Sequence, residues 1–292
     1  MTIGASHAKS RVITDGQLLR ELVQTAQRNG DTVGLVPTMG ALHEGHMSLV
    51  DAARADCDLT VATIFVNPTQ FAPHEDFNKY PRPLERDLEM LSARGCDVIF
   101  TPSVAEMYPP GNTTYVDVGP LGQVLEGEFR PTHFRGVATV VLKLFQLAPA
   151  DRAYFGRKDY QQTLVVRQMV EDLNVPVAVR VGPIVREADG LAMSSRNAYL
   201  SPDERRRALA LSQSLRLAEQ LAAGGERKVA VIERRMRELI DSSGGAELQY
   251  IAFLMDGTVT PVATISGPTA VVLAAFVGKT RLIDNTQLGT GG

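Results

Sequence analysis

Short apolar runs and amphipathic stretches follow one another along most of this chain. Leu18, Leu19, Leu22, Val23 and Ala26 recur at helical spacing within residues 15–29, and Gly30 behind them is a usual helix stop. Residues 33–36 form an apolar run that predicts a strand, and the apolar-periodic stretch 47–55 predicts a helix. Residues 59–66, LTVATIFV, are almost continuously apolar, rich in β-branched side chains and short for a helix, which suits a strand buried on both faces. The alternation continues with a helix over 83–94 stopped by Gly95, a strand over 97–101, a helix over 137–147, a strand over 152–155, a helix over 159–173 and a strand over 177–181. Alternating units of this kind predict an α/β fold with a parallel sheet covered on both faces, a Rossmann-like arrangement.

The pattern changes in the loop GPIVREADGLAMSSR, residues 182–196, and the expected division is a first domain over 1–185 and a second over 186–292. Ser201-Pro202-Asp203-Glu204 joins an N-cap serine, a proline at the first helical position and an acid three residues on, a capping-box signal for a long helix to about Ala222. A second helix is expected over 229–240, then strands over 248–255, 270–277 and 281–283, which makes a smaller C-terminal α+β domain. No internal repeat or low-complexity segment interrupts this, and the final GTGG reads as a loose tail.

Bulk properties add exclusions. The 292 residues carry 30 basic and 33 acidic side chains mixed along the chain, a formal net charge of −3, so no strong field points to nucleic acid or an anionic membrane. Two cysteines, Cys57 and Cys96, are too few for a disulfide framework and read as buried reduced thiols. The start MTIGASHAKS lacks a charged-then-apolar leader, and no apolar run has the length of a bilayer span. The expectation is a soluble cytoplasmic protein.

Candidate chemistry concentrates where predicted strands give way to helices. LVPTMGALHEGHMS, residues 35–48, reads as strand, turn and helix start with His43 and His46 beside Gly40 and Gly45. Free amides at a helix start favour phosphate, and two imidazoles three apart can both donate to one oxygen cluster. Two other readings stand beside this one. His-x-x-His can be half of a metal site, although the helical zinc signature spaces its histidines four apart, or one histidine can cap the helix while the other is an ordinary surface residue. Asn67-Pro68-Thr69-Gln70-Phe71 follows the second strand of the motif and is either a simple Asn-Pro turn or a pair of amides suited to hydroxyl and carboxylate groups. Phe155-Gly156-Arg157-Lys158-Asp159-Tyr160-Gln161-Gln162 adds a cation at a third junction, with Gln162 four residues beyond Lys158. Met193-Ser194-Ser195-Arg196-Asn197 offers two hydroxyls and a guanidinium on a loop, or only a solvated turn. Gly278-Lys279-Thr280 is not a P-loop, because Leu273 stands where the first glycine is needed, and no G-x-G-x-x-G follows the first strand.

Taken together, PTMGALHEGH, IFVNPTQF, FGRKDYQQ and MSSRN, in that order and with RPTHFRGV and RLIDN, resemble the pantothenate synthetase (pantoate:beta-alanine ligase) family over about residues 11–287. The resemblance implies a Rossmann-like nucleotidyltransferase sheet and an ATP-dependent condensation of pantoate with beta-alanine through an acyl-adenylate, with AMP and pyrophosphate released. It implies that His43, His46, Lys158, Ser194, Ser195 and Arg196 are catalytic and line the ATP phosphates, His46 being the usual proton donor. Met39, Gly40, Ala41, Leu42, Glu44, Gly45, Gly156, Arg157, Asp159, Val185 and Met193 would complete the nucleotide site. Pro37, Thr38, Met39, Asn67, Gln70, Val140, Val141 and Gln162 would bind the small substrates, Gln70 and Gln162 holding pantoate and the apolar residues facing its methyl groups. It further implies Mg²⁺ arriving with ATP and contacting Asp87, and a homodimer. An adenylate must be kept from water, and by their position residues 70–80 and the C-terminal domain are the candidates for a lid.

Two departures from the family pattern bear on this. Glu85-Arg86-Asp87 stands where the family usually carries adjacent acids, and Arg157 stands where it usually has glutamate. Two rival functions remain, a related adenylyltransferase using another carboxylic acid and a catalytically silent nucleotide-binding regulator.

Overall fold

The computed structural model of the chain describes residues 10–73 and 75–289. The stretch read for a leader lies outside these residues except for Ser10, as does the tail beyond Gly289. Two compact units are formed. One runs to Gly156 and takes in Val165–Gly182, and the other comprises Arg157–Leu164 and the chain from Pro183 onward.

The first unit is built on six strands, β1 (Arg11–Ile13), β2 (Val33–Thr38), β3 (Leu59–Ile64), β4 (Val98–Phe100), β5 (Arg152–Gly156) and β6 (Ala178–Gly182). All are parallel, in the order β1-β4-β3-β2-β5-β6. The connecting helices are α1 (Gly16–Arg28), α2 (Glu44–Asp56), α3 (Leu84–Ala93), the short α4 (Val104–Met107) and α5 (Glu126–Phe129), α6 (His133–Leu147) and α7 (Tyr160–Asp172), whose first turn belongs to the other unit. The α/β expectation is met, and the boundaries predicted for β2 to β6 fall within three residues of those observed.

Why the strand runs carry no alternation is visible in the packing. Leu35 and Val36 are both fully buried, yet Leu35 belongs to the core that includes Leu19, Val137 and Val165, and Val36 to the one that includes Met47, Val50 and Leu91. Successive side chains of a strand take opposite faces, so a strand covered on both sides must be apolar throughout. β1 escapes the pattern because it is three residues long, with Arg11 and Val12 exposed at the sheet edge. The path from β2 through β3 to β4 moves one way across the sheet, while β5 and β6 lie on the other side of β2. In open α/β sheets ligands bind beyond the carboxyl ends of the strands at such a reversal, here at Thr38 and Gly156.

In the second unit, α8 (Pro202–Ala223) and α9 (Val229–Ser242) cover an antiparallel sheet of β7 (Ala246–Met255), β8 (Thr269–Val277) and β9 (Thr280–Leu288). The predicted capping box is present, with Ser201 and Glu204 each accepting from the other's backbone amide. Leu211, Leu215, Ile232, Met236, Val271 and Leu273 share its core. β9 pairs with β8 as far as Leu288, beyond the expected end at 283, and the polar side chains of Asp284 to Gln287 are why the apolar pattern stopped short. No helix among the described residues is long and apolar enough to cross a membrane.

Candidate active site

At the carboxyl end of β2 the chain turns through Gly40 (φ 82°) and Ala41 (φ 50°) into α2. Glycine tolerates the left-handed conformation, and a Cβ at position 40 would also lie 2.9 Å from Asp87 Oδ2. His43 is the N-cap. Its Nδ1 accepts from the Gly45 amide at 3.2 Å, and His46 Nδ1 accepts from the His43 amide at 3.3 Å. The two imidazoles thus form a reciprocal capping box of the kind usually made by serine and glutamate. With both Nδ1 atoms accepting, the ring proton of each lies on Nε2, so each histidine is a neutral Nε2–H donor. Their ring centroids are 4.1 Å apart, close enough for both donors to serve one group of oxygens. The capping reading and the anion reading of these histidines are therefore compatible: Nδ1 caps and Nε2 is the chemical end.

Asp87, on α3, is what fixes the turn. Only 1 % exposed, its Oδ2 accepts from the Ala41 amide at 2.8 Å and its Oδ1 from the Leu42 amide at 2.9 Å. Burial raises its pKa, and the two amide hydrogen bonds oppose that rise. A carboxylate buried with both oxygens on backbone amides does not fit the metal contact that the family resemblance implies, and among the described residues no three His, Cys, Asp or Glu side chains are grouped to hold a metal ion. Glu44, in the first turn of α2, is exposed and pairs with Arg94.

Beyond β3, Asn67 caps the turn Pro68–Gln70 and brings the second motif to the first. Gln70 Nε2 lies 3.0 Å from Met39 Sδ, and its Oε1 accepts from Asn67 Nδ2 at 3.0 Å. Asn67 is committed inside the protein, with Nδ2 also donating to Gly136 O and Oδ1 accepting from the Thr69 amide, the Thr69 hydroxyl and Tyr108. Burial raises the Tyr108 pKa and so keeps that phenol a donor. Sequence reasoning missed Tyr108, and it gave no role to Arg130 and His133 although both stand in RPTHFRGV. His133 Nδ1 donates to Gln70 O at 3.0 Å, and Arg130 makes two hydrogen bonds to Glu75, at 2.8 and 2.7 Å. Val140 and Val141 are buried on α6, Pro37 is half-buried, and Thr38 Oγ1 donates to Thr63 O at 2.5 Å.

Lys158, Gln162 and the loop that ends in Ser194, Ser195 and Arg196 belong to the second unit. Lys158 is half-buried, its Nζ 3.6 Å from Asp159 Oδ1, and Gln162 is half-buried in the first turn of α7. Arg157, the departure from the family pattern, pairs with Asp256 at 2.7 Å, and Asp256 Oδ2 accepts from Gln287 at 2.6 Å. Its charge is neutralised locally. Tyr160 accepts from the Gly257 amide at 2.9 Å and donates to Thr258 O at 3.1 Å. Ser194 caps the turn Ser195–Tyr199 by accepting from the Arg196 amide, and the Met193 amide donates to Val185 O at 3.0 Å. Asn197 secures this turn through Glu187 and Ala192 O.

A family model described as Pantoate-beta-alanine ligase matches residues 11–287. The chain belongs to the pantoate-beta-alanine ligase family. It is similar to a pantothenate synthetase of Moorella thermoacetica, 52 % identical over 270 residues that cover 92 % of this chain and 95 % of the relative. A pantothenate synthetase of Thermotoga neapolitana is 50 % identical, covering 96 % of this chain and 100 % of the relative. Among solved structures, the pantothenate synthetase of Thermus thermophilus superposes with a TM-score of 0.90 at 45 % identity, over 94 % of this chain and 98 % of that one. The ligase of Francisella tularensis, solved with beta-gamma ATP and beta-alanine, gives 0.80 at 33 % identity, over 97 % and 99 %. The family's nucleotidyltransferase-like fold is thus shared by this chain.

Proposed function

We propose that the chain is an ATP-dependent ligase that condenses D-pantoate with beta-alanine through a pantoyl-adenylate, releasing AMP and pyrophosphate. The observation that carries this is the paired-histidine capping box beyond β2, which holds two neutral Nε2–H donors at a helix start. Family membership and the Francisella complex support ATP and beta-alanine as substrates.

A carboxylate does not condense with an amine in water, so the pantoate carboxylate first attacks the α-phosphate. Charge then builds on the departing pyrophosphate, and a well-aimed donor stabilises it by about 3 to 4 kcal/mol. We assign that task to His43, His46, Lys158, Ser194, Ser195 and Arg196, with Met39 to His46, Gly156 to Asp159, Val185 and Met193 completing the nucleotide contacts. Gln70 and Gln162 hold the pantoate hydroxyl and carboxylate groups; Asn67 sets Gln70, Thr38 lies among the substrate contacts, and Pro37, Met39, Val140 and Val141 form the apolar wall. In the second half-reaction the amine attacks the activated carbonyl and AMP leaves, with no protein nucleophile. Mg²⁺ accompanies ATP phosphates in this chemistry and is assigned no ligand from the protein. The segment 70–80, tied through Glu75 to Arg130, and the C-terminal region are the candidates for a lid that keeps water from the adenylate. A homodimer and a cytoplasmic setting complete the reading, the latter in keeping with free Cys57 and Cys96.

The test is pyrophosphate release from Mg·ATP with D-pantoate, with and without beta-alanine, followed by mass detection of pantothenate and AMP. Pantoate-dependent release, with pantothenate formed only when beta-alanine is present, is expected. Release with other acids but not pantoate would identify a related adenylyltransferase, and ATP binding without turnover a silent regulator.

A further inference from the structure

Strand β9 carries two polar side chains where core packing alone would favour apolar ones. Asp284 and Asn285 are 4 % and 2 % exposed. Consecutive residues of a strand reach opposite faces, and these two reach different parts of the second unit, Asn285 the backbone of Arg157 and Lys158 and Asp284 the side chain of Arg186. Asn285 Nδ2 donates to both Arg157 O and Lys158 O, each at 2.9 Å. Its Oδ1 has no partner, so the amide is oriented wholly by the two carbonyls. The Asp284 carboxylate grips the fork of Arg186, Oδ2 with Nη1 at 2.7 Å and Oδ1 with Nη2 at 3.0 Å. Arg186 also donates to Gly190 O at 3.2 Å and to Asn285 O at 3.4 Å. Residues 186 and 192 are bridged, the Glu187 amide donates to Leu191 O, and Ser194 follows.

We propose that Asp284 and Asn285 are positioning residues for ATP, one strand fixing both the Lys158 backbone and the loop that ends in Ser194, Ser195 and Arg196. Asn285 is suited to the first task because its short, uncharged amide brings two N–H groups to two neighbouring carbonyls. A carboxylate of the same shape would turn an oxygen towards them. Asp284 is suited to the second because a carboxylate meets a guanidinium in two parallel hydrogen bonds, and Arg186 carries the constraint to the Gly190 turn. The inference rests on the assignment of Lys158 and the serine loop to the ATP phosphates.

The experiment compares the full-length protein with Asn285→Asp, Asp284→Ala, Arg186→Ala, Arg186→Lys, the Arg186→Ala/Asp284→Ala double variant and Lys158→Ala, by pantoate-dependent pyrophosphate release at varied ATP and varied pantoate. Asn285→Asp is expected to raise KM for ATP and lower kcat, each by about tenfold, with KM for pantoate within about twofold, since misplacing a contact group by about 1 Å can cost about 10² in rate. The double variant is expected to be no slower than the worse of its single variants, and Arg186→Lys to recover part of the Arg186→Ala loss. A purely structural role would lower kcat through lost active protein while leaving both KM values unchanged, and that result overturns the inference. If Asn285→Asp does not fold, Arg186→Lys carries the test, and an unchanged KM for ATP there overturns it equally. Normal turnover of Lys158→Ala would instead remove the ATP assignment, and the inference with it. A slow Lys158→Ala beside a normal Asn285→Asp would remove the inference alone.

Discussion

Each histidine of the capping box divides its work between two ring nitrogens, and this makes stability and catalysis separable at single residues. Replacing His43 by alanine removes the cap as well as the Nε2–H, and loss of an N-cap costs about 1 kcal/mol. Asparagine is itself a good cap, with an oxygen near the place of Nδ1, but has nothing where Nε2 stood. His43→Asn is therefore expected to melt close to the parent while turnover falls roughly 10² to 10³-fold. Equal losses of melting temperature in His43→Asn and His43→Ala would contradict this division. Asp87 gives a second case. An asparagine there can accept from one of the two turn amides but presents an NH₂ group to the other, so Asp87→Asn is expected to lose about 1 to 3 kcal/mol of stability. Because burial raises the Asp87 pKa above its ordinary 3.8, the folded protein binds that proton more tightly than the unfolded chain. This group's contribution to stability therefore falls as pH rises from 3.8 through its folded value, and is constant above it. Denaturant titrations of parent and Asp87→Asn over the acid range should show that slope in the parent and not in the variant. The histidines were legible from spacing within one motif. The role of Asp87 was not, because its partners stand 45 and 46 residues away in sequence and one carboxylate among many gives no local sign of clamping a turn.

The regular elements were legible wherever burial imposed a period. β2 and β3 are covered on both faces and had to be apolar, α1 shows its stripe, and α8 announces its start with Ser201 and Glu204. β9 was cut short because Asp284, Asn285, Thr286 and Gln287 replace the apolar signal. Those residues bind backbone and charge from elsewhere in the fold, which periodicity cannot register. Packing of elements against one another was equally hidden, and Gly136 shows the consequence. It lies where α6 touches the turn Pro68–Gln70, and a Cβ there would come within 2.5 Å of Thr69 O and 2.6 Å of Gln70 Cα. These are backbone atoms, so the turn must move as a piece and take Gln70 with it. Gly136→Ala is expected to lower stability by about 1 to 3 kcal/mol through overpacking. It should also raise KM for pantoate by about tenfold or more with little change for ATP, since positioning errors of about 1 Å are costly in rate. Substrate titrations check this directly, and a rise confined to ATP would mean that Gln70 does not hold pantoate.

At the scale of the whole molecule the chain forms two compact units, with His43 and His46 in the one that contains Leu35 and Val61, and Lys158 and Ser194 to Arg196 in the one that contains Met236 and Leu273. A ligand stabilises whatever must be folded to bind it, by RT ln(1 + [L]/Kd), about 2.7 kcal/mol at a hundredfold excess over Kd. A non-hydrolysable ATP analogue with Mg²⁺ should therefore raise hydrogen-exchange protection of the globally exchanging amides in β2 and β3 and, separately, in β8. His46→Ala should diminish the protection of β2 and β3, and Lys158→Ala that of β8, because each loss weakens nucleotide binding by the unit to which the residue belongs. Protection confined to β2 and β3, and insensitive to Lys158→Ala, would mean that the nucleotide is held by the first unit alone. Pyrophosphate release would then have to be stabilised without Lys158 or the serine loop. Hydrogen exchange thus tests the nucleotide assignment in each unit without any catalytic assay.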